Sequence, residues 1–405
     1  MRVVLSTYGS RGDVQPLAGL AVKLRELGVP VRVCAPPDEE FARRLAVDGV
    51  ELVPVGPDVR AAVRAAVNGA PPAPGDFPRR VATMVGQFHE AVAATAGPGD
   101  TVVATGLFPA VAGARSAAET VGARFRYVAL QPTMLPSPHH PPFEYPGHPH
   151  PPGVTDNREL WQENIRTMDA LFREPVNAHR ASVGLPAVDR VRDHILTDCP
   201  WLATDQLLGP WPEFAGSTVV QTGAWLLPDH RPLPAALSAF LDAGEAPVYV
   251  GFGSMPMRGA PDAARDAVTA ARALGQRTVL ARGWAELALA DGGGDCFAVG
   301  EVNQQALFPR VAAVVHHGGA GTTTAAALAG VPQVVVPQMV DQPYWAGRVA
   351  ELGIGAAHDG AVPTVDSLTT ALRAARAPEV AARATALARE IRTDGAEVAA
   401  GLLLG

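Results

Sequence analysis

Along this chain short unbroken apolar runs alternate with longer stretches in which leucine, valine or alanine returns every third or fourth position. The runs have the length of buried strands, and the stretches have the spacing of helices with one face on a core. Val3 to Ser6 is such a run. Gly9 to Asp13 is a polar turn, and after it Leu17, Leu20, Ala21, Leu24 and Leu27 share one helical face that Gly28 closes before the strand Val31 to Cys34. A strand, a crossover helix and a second strand of this kind wind right-handedly into a parallel sheet. Runs at Thr101 to Ala104 and Phe125 to Leu130 extend that sheet. The second half repeats the opening: Pro247 to Phe252 predicts a strand, Gly253 to Met257 a turn and Ala260 to Leu274 a helix, with further strands near Thr278, Cys296, Val311 and Gln333.

The repetition predicts an α/β protein of two tandem Rossmann-like, doubly wound parallel-sheet domains. The carboxyl ends of their strands are expected to face a central cleft, where open sheets of this class bind ligands. A length of 405 residues suits two cores of roughly 200 residues each. The expected division is an N-terminal domain over residues 1–208, a proline- and glycine-rich linker over 209–234, a C-terminal domain over 235–385 and a closing helical segment over 386–405. Within the first domain Pro136 to Pro152 is too rich in proline for a helix or a central strand and reads as a loop. Its histidines, His139, His140, His148 and His150, lack the fixed spacing of a metal-ligand set.

Composition narrows the function. Apolar residues make up 48% of the chain and charged residues 18%, the balance of a folded globular protein. A net charge of -7 speaks against nucleic acid as a partner. The cysteines Cys34, Cys199 and Cys296 are scattered and odd in number, which suggests neither a disulfide framework nor a zinc site and fits a reducing cytoplasm. No apolar run approaches the roughly 20 residues that span a bilayer, and the chain enters its first strand without a charged leader, so no membrane partner is expected.

The chemistry concentrates between Val311 and Arg348, VAAVVHHGGAGTTTAAALAGVPQVVVPQMVDQPYWAGR. A strand ends in two histidines, small residues turn, and three threonines open an alanine-rich helix. The first N–H groups of a helix are unpaired and carry the positive end of its dipole, so this order builds an anion pocket without a basic side chain. Gly318, Gly319 and Gly321 allow close approach of the backbone, and Thr322 and Thr323 are expected to add hydroxyl donors. One strand later Asp341 and Gln342 offer a carboxylate and an amide to sugar hydroxyls, or a helix cap ahead of Pro343. Asp13, just after the first strand, is either a cap of the following helix or a base. A divalent ion on a diphosphate is often held by an Asp-x-Asp pair, and none occurs in this sequence, so a metal-independent site is expected.

These segments, with GSRGDVQPLAGLAVKLRELG near the start, TDCPWLATD and VQTGAWLLPDHRPL in the middle, and VYVGFGS, ARGW and FAVGEVNQQALF later, resemble a family over nearly the whole chain. The chain is identified by resemblance as a member of the inverting glycosyltransferases with two Rossmann-like domains (GT-B), and it is most similar to those acting on vancomycin-type glycopeptide aglycones. The resemblance implies that His317, Gly319 and Thr322 contact the diphosphate of a nucleotide sugar, with Thr323 beside them and Ser254 of the GFGS turn as a further donor. It implies that Arg282, Trp284 and the Val302 to Gln305 segment hold the nucleobase and ribose, and that Asp341 and Gln342 hold the sugar. Asp13 is then the catalytic base, Ser10 a neighbouring acceptor-side residue, and Phe143 and Tyr145 of the proline-rich loop acceptor contacts. In such proteins the last helix returns to the first domain.

The implied reaction moves a hexose or deoxysugar from a UDP- or TDP-linked donor to a hydroxyl of a glycopeptide aglycone, with no cofactor beyond the nucleotide sugar. The pair Asp341 and Gln342 leans toward a hexose with its ordinary hydroxyls. Sterol, macrolide or other lipophilic acceptors and a non-catalytic auxiliary role are the alternatives within the fold. A dinucleotide oxidoreductase fits poorly, because GSRGD stands where its GxGxxG turn would be.

Overall fold

In the computed structural model, which describes residues 1–62, 75–145, 147–253, 262–283 and 294–405, thirteen strands form two wholly parallel sheets. The first sheet has the order β3-β2-β1-β4-β5-β6-β7, from β1 (Val3–Tyr8), β2 (Val31–Ala35), β3 (Glu51–Pro54), β4 (Thr101–Gly106), β5 (Arg124–Ala129), β6 (Trp201–Leu202) and β7 (Val220–Gln221). The second has the order β10-β9-β8-β11-β12-β13, from β8 (Val248–Gly251), β9 (Thr278–Ala281), β10 (Cys296–Val299), β11 (Ala313–His316), β12 (Gln333–Val335) and β13 (Gly355–Ala357). Each sheet winds outward to one edge, returns to its first strand and continues the other way, so each has a topological switch point beside that strand: β1 against β4, and β8 against β11.

Both faces of the first sheet are covered. Val3 and Leu5 pack on the helix Arg11–Glu26, whose Leu17, Leu20 and Leu24 are each 0% exposed, and Val4 and Tyr8 pack oppositely with Val85, Phe88 and Val92. Each such leucine contributes roughly 1.5–3 kcal/mol by leaving water. Leu27, expected on the same buried stripe, is 50% exposed because the helix stops at Glu26 and the chain turns away. Trp201 and Trp225 meet edge to face in this core, as packing residues.

The chain divides into two units, one built from Met1–Gln206, Pro210–Leu227 and Arg392–Gly405, the other from Leu207–Gly209 and Pro228–Ile391. The expected linker over 209–234 is therefore mostly folded structure. Val220 and Gln221 pair with Trp201 and Leu202 as the last strand of the first sheet, a pairing too short for a hydrophobic pattern to announce. The segment 207–209 belongs with the second unit, where Arg348 donates to the carbonyls of Leu207 and Leu208 at 2.7 and 3.0 Å. The chain re-enters the first unit later than the expected residue 386: Pro378–Ala388 stays with the second unit, and the backbone N–H of Arg392 reaches Oδ2 of Asp205 at 3.1 Å. The last helix, Gly395–Leu404, buries Ala396, Ala399, Ala400 and Leu403 in the core that holds Leu17 and Leu20. Among the described residues no helix is long and apolar enough to cross a membrane.

Candidate active site

The second unit places the strand-turn-helix with the two histidines at the switch point of its sheet. His316 ends β11 and lies in register with Gly251 of β8 on one side and Val335 of β12 on the other. It is 0% exposed and fully used: the N–H of Gly318 donates to its Nδ1 at 3.1 Å, so the ring proton sits on Nε2, which faces Oε1 of Gln333 at 2.9 Å. Burial pushes the His316 pKa down to about 3, so the ring is a neutral strut. Gln333 in turn donates from Nε2 to the carbonyl of Thr323 at 3.3 Å, linking two strands to the helix Ala320–Leu328. Gly318 takes φ +92, and a Cβ there would lie 2.7 Å from Cγ1 of Val335, so the turn admits only glycine.

That turn aims His317. Its ring lies between two backbone segments, since a Cβ on Gly253 would stand 3.0 Å from its Cε1 and one on Gly319 2.7 Å from its Nε2. Nδ1 is buried with no hydrogen-bond partner among the described residues. Nε2 is the ring nitrogen nearer the helix start, at Gly319. Burial holds the His317 pKa at about 4, which makes it a neutral imidazole at neutral pH. Gly319 is the N-cap residue, so the N–H groups of Ala320, Gly321 and Thr322 have no partner inside the helix. Thr322 is half-buried at this end. Thr323 departs from expectation: its hydroxyl donates to the carbonyl of Gly319 at 3.0 Å and serves the helix rather than a ligand.

Asp341 occupies the N-cap position of the helix Gln342–Glu351 but does not cap it with its side chain. Its Oδ2 accepts instead from the indole N–H of Trp345 at 2.7 Å. Burial raises the Asp341 pKa to about 6, against the opposing pull of that N–H. The residue before it, Val340, has φ +58, a strained conformation for a β-branched side chain of the kind found where function demands it. Gln342 spends its carbonyl oxygen inward, accepting from the N–H groups of Gln338 and Met339 at 2.7 and 3.2 Å, so its amide N–H is what it can offer a sugar. Arg282 is exposed, with its backbone N–H bound to the carbonyl of Val299 at 3.0 Å. Val302 is a core residue at 6% exposure, which leaves only its backbone to a ligand. Asn303 beside it caps the short helix Gln304–Leu307 and donates to the carbonyls of Asp229 and Arg231, both at 2.8 Å. Ser254 and Trp284 lie outside the described residues.

In the first unit Asp13 is the third residue of the helix Arg11–Glu26, past the N-cap Ser10, and its N–H bonds the Ser10 carbonyl at 3.0 Å. It therefore belongs to the helix's first turn and is not its cap. The Ser10 hydroxyl makes no capping bond either. The Asp13 carboxylate folds over Gly9, where a Cβ would fall 2.0 Å from its Oδ2, so glycine at position 9 makes the room this carboxylate occupies. The proline-rich segment is anchored rather than free: His140 packs against Trp161 and Trp211, and the indole of Trp161 donates to the His140 carbonyl at 3.0 Å. Phe143 and Tyr145 stack at 4.8 Å and line a cavity of about 30 Å³ with Tyr127, Trp161 and Arg192. That is room for one or two waters.

Sequence reasoning passed over Gly9, Gln333 and Trp345, and took His316 only as the mate of His317. Gln333 carried a signal, a polar residue inside the apolar run VPQVVVP. Trp345 carried one too, an aromatic one helical turn after a carboxylate.

Known proteins bear on this geometry. Residues 293–402 match the family model of the erythromycin biosynthesis protein CIII-like C-terminal domain. The chain is 52% identical to the vancomycin aglycone glucosyltransferase of Amycolatopsis orientalis over 100% of its own length and 97% of that protein. It is 49% identical to the dTDP-epi-vancosaminyltransferase of the same organism, over 95% of this chain and 92% of that one. The crystal structure of the glycotransferase of kitacinnamycin shares the fold with a TM-score of 0.69 at 22% identity, covering 100% of this chain and 98% of that one. With two Rossmann-like sheets and full-length identity of this order, the chain belongs to the GT-B glycosyltransferases, in the group of the enzymes that glycosylate vancomycin-type glycopeptides.

Proposed function

We propose that this enzyme transfers a hexose or deoxysugar from a UDP- or TDP-linked donor to a hydroxyl of a glycopeptide aglycone, in the cytoplasm, with inversion and without a metal. The observation that carries the reading is His317, a neutral imidazole with one nitrogen buried and the other at an uncapped helix start. A diphosphate leaving group needs this arrangement: fixed N–H donors where negative charge grows as the bond to the sugar breaks. The acceptor oxygen attacks the anomeric carbon in line, the new C–O bond forms as the bond to the diphosphate opens, and Asp13 takes the acceptor's proton. His317 Nε2, the N–H groups at 320–322 and the Thr322 hydroxyl receive the departing charge, with Ser254 as a further donor. Asp341 and the Gln342 amide hold the sugar hydroxyls. Arg282, Trp284 and the backbone from Val302 hold the nucleoside, and Ser10, Phe143 and Tyr145 stand on the acceptor side. The identity to enzymes named for a vancomycin aglycone and for a dTDP-sugar supports the acceptor and donor classes.

The test is transfer of radiolabelled sugar from UDP-glucose and from TDP-linked sugars to a vancomycin-type aglycone, with and without excess chelator. Product in both conditions is expected, and His317→Ala should weaken binding of UDP and TDP and slow turnover with every donor. Loss of activity in chelator with rescue by magnesium would refute the metal-free leaving-group pocket, and transfer only to sterol or macrolide acceptors would refute the acceptor class.

A further inference from the structure

We propose that Trp345 is the positioning residue for the donor sugar: its indole N–H holds Oδ2 of Asp341 and so fixes which edge of that carboxylate is presented to the sugar hydroxyls. The proposal rests on the reading of Asp341 as a sugar contact.

The geometry requires some such device. Asp341 sits at a helix start yet makes no capping bond to the first turn, so its orientation is left to its own backbone N–H and to Trp345 one turn further on. A carboxylate free to rotate would present no fixed acceptor, and directional hydrogen bonds to a sugar would cost the entropy of freezing it on each binding event. The bond from Trp345 Nε1 at 2.7 Å removes that freedom in advance. Trp345 cannot follow a moving partner, because it is 1% exposed and wedged among Leu208, Ala327, Val335, Val349 and Ile354. The other side of the turn is equally held, with the N–H groups of Gln338 and Met339 on the Gln342 carbonyl and Gln338 Nε2 on the Ala361 carbonyl at 2.8 Å. The strained φ of Val340 persists between these two anchors. The turn therefore displays Asp341 in one orientation before any ligand arrives. The indole N–H also favours the ionised carboxylate that accepts from hydroxyls, in a setting where burial works against the charge.

A buried indole needs an acceptor in any case, so the experiment must separate positioning from packing. Calorimetry should compare UDP-glucose with UDP, and TDP-glucose with TDP, in the wild type, in Trp345→Phe, in Asp341→Asn and in protein carrying benzothienylalanine at position 345, which keeps the indole's shape and replaces the N–H by sulfur. The expected result is a loss of affinity of roughly 10-fold for the nucleotide sugars in both position-345 variants, the scale of one charge-assisted hydrogen bond, with UDP and TDP binding unchanged. A structural role alone would weaken sugar-linked and sugar-free ligands together, and that outcome overturns the proposal. If Asp341→Asn lowers nucleotide-sugar affinity while both position-345 variants retain it, the positioning role of Trp345 is wrong and the sugar contact stands. If Asp341→Asn leaves the ratio of sugar-linked to free nucleotide unchanged, the sugar reading of Asp341 fails first. A drop in melting temperature for Trp345→Phe alone leaves the benzothienylalanine protein to decide.

Discussion

His317 and Asp341 lie in the same unit at similar depth, and burial drives both toward neutrality: the imidazole down to about 4, the carboxyl up to about 6. At neutral pH this leaves an uncharged imidazole and an ionised carboxylate, the two states that the proposed diphosphate and sugar contacts require, from one physical cause. Asp13 depends on a different device, the missing side chain of Gly9. If Asp13 is the base, Asp13→Asn keeps its shape and removes its basicity, so kcat should fall by roughly 100-fold or more with little change in donor affinity. Gly9→Ala should produce a similar loss without touching the carboxylate itself, because its methyl group would occupy the space of Oδ2. Near-normal turnover in Asp13→Asn, in steady-state assays at saturating donor, would eliminate the base. Asp13, His317 and Asp341 were legible in the sequence as residue types at strand ends. Gly9 was not, since its contribution is an absence that only the fold of the neighbouring carboxylate gives meaning.

At the scale of elements, the strand-turn-helix from β11 to Leu328 is held by side chains that are fully buried. Gln333 accepts from His316 and donates to Thr323, and His316 accepts from Gly318, so the turn that aims His317 is tied to the next strand. Gln333→Leu keeps the volume and strands the His316 N–H in a dry core, which should cost about 1–3 kcal/mol of stability. The same variant should loosen the Gly318 turn and weaken UDP and TDP binding. Chemical denaturation and calorimetry on it check both, and wild-type values would show the network to be dispensable. The long apolar runs read correctly as strands β1, β2, β4, β5 and β8. Strands β3, β6, β7 and β13 went unseen, being short or made of residues such as Gly355, Ala356 and Ala357 that carry no pattern. Their pairing comes from the sheet that already exists beside them.

In the first unit as a whole, three helices meet at Glu119, from Phe108–Val121. Its carboxylate accepts from Arg180, itself 2% exposed, at 2.9 Å and from His194 at 3.0 Å, and Arg115 joins at 2.7 Å. Burial opposes the charge on Glu119, but the bonds from His194 and Arg180 outweigh it and hold its pKa down at about 2. A carboxyl whose folded pKa lies below its unfolded value adds stability that is complete above about pH 4.5, the ordinary range, and is lost as pH falls toward 2. Glu119→Gln should therefore melt lower at neutral pH, by about 3 kcal/mol of stability for leaving Arg180 without its counter-charge, and should show a flatter fall in Tm between pH 5 and 2. Parallel Tm-against-pH curves for the two proteins would overturn this. None of the network was visible in the sequence, where Glu119, Arg180 and His194 are ordinary charged positions far apart.

By itself the sequence determined the two-fold repeat of strand, turn and helix, the parallel sheets, the absence of a metal-type carboxylate pair and the family. These follow from periodicity, which is local, and from motifs, which are contiguous. Only the tertiary structure decided that residues 210–227 return to the first unit and lend Val220 and Gln221 to its sheet, that the chain re-enters that unit at Arg392, that Thr323 turns its hydroxyl inward, and that Asp341 answers to Trp345. Each of those is a choice among hydrogen-bond partners, and which partner wins depends on what the fold has buried nearby and left without water.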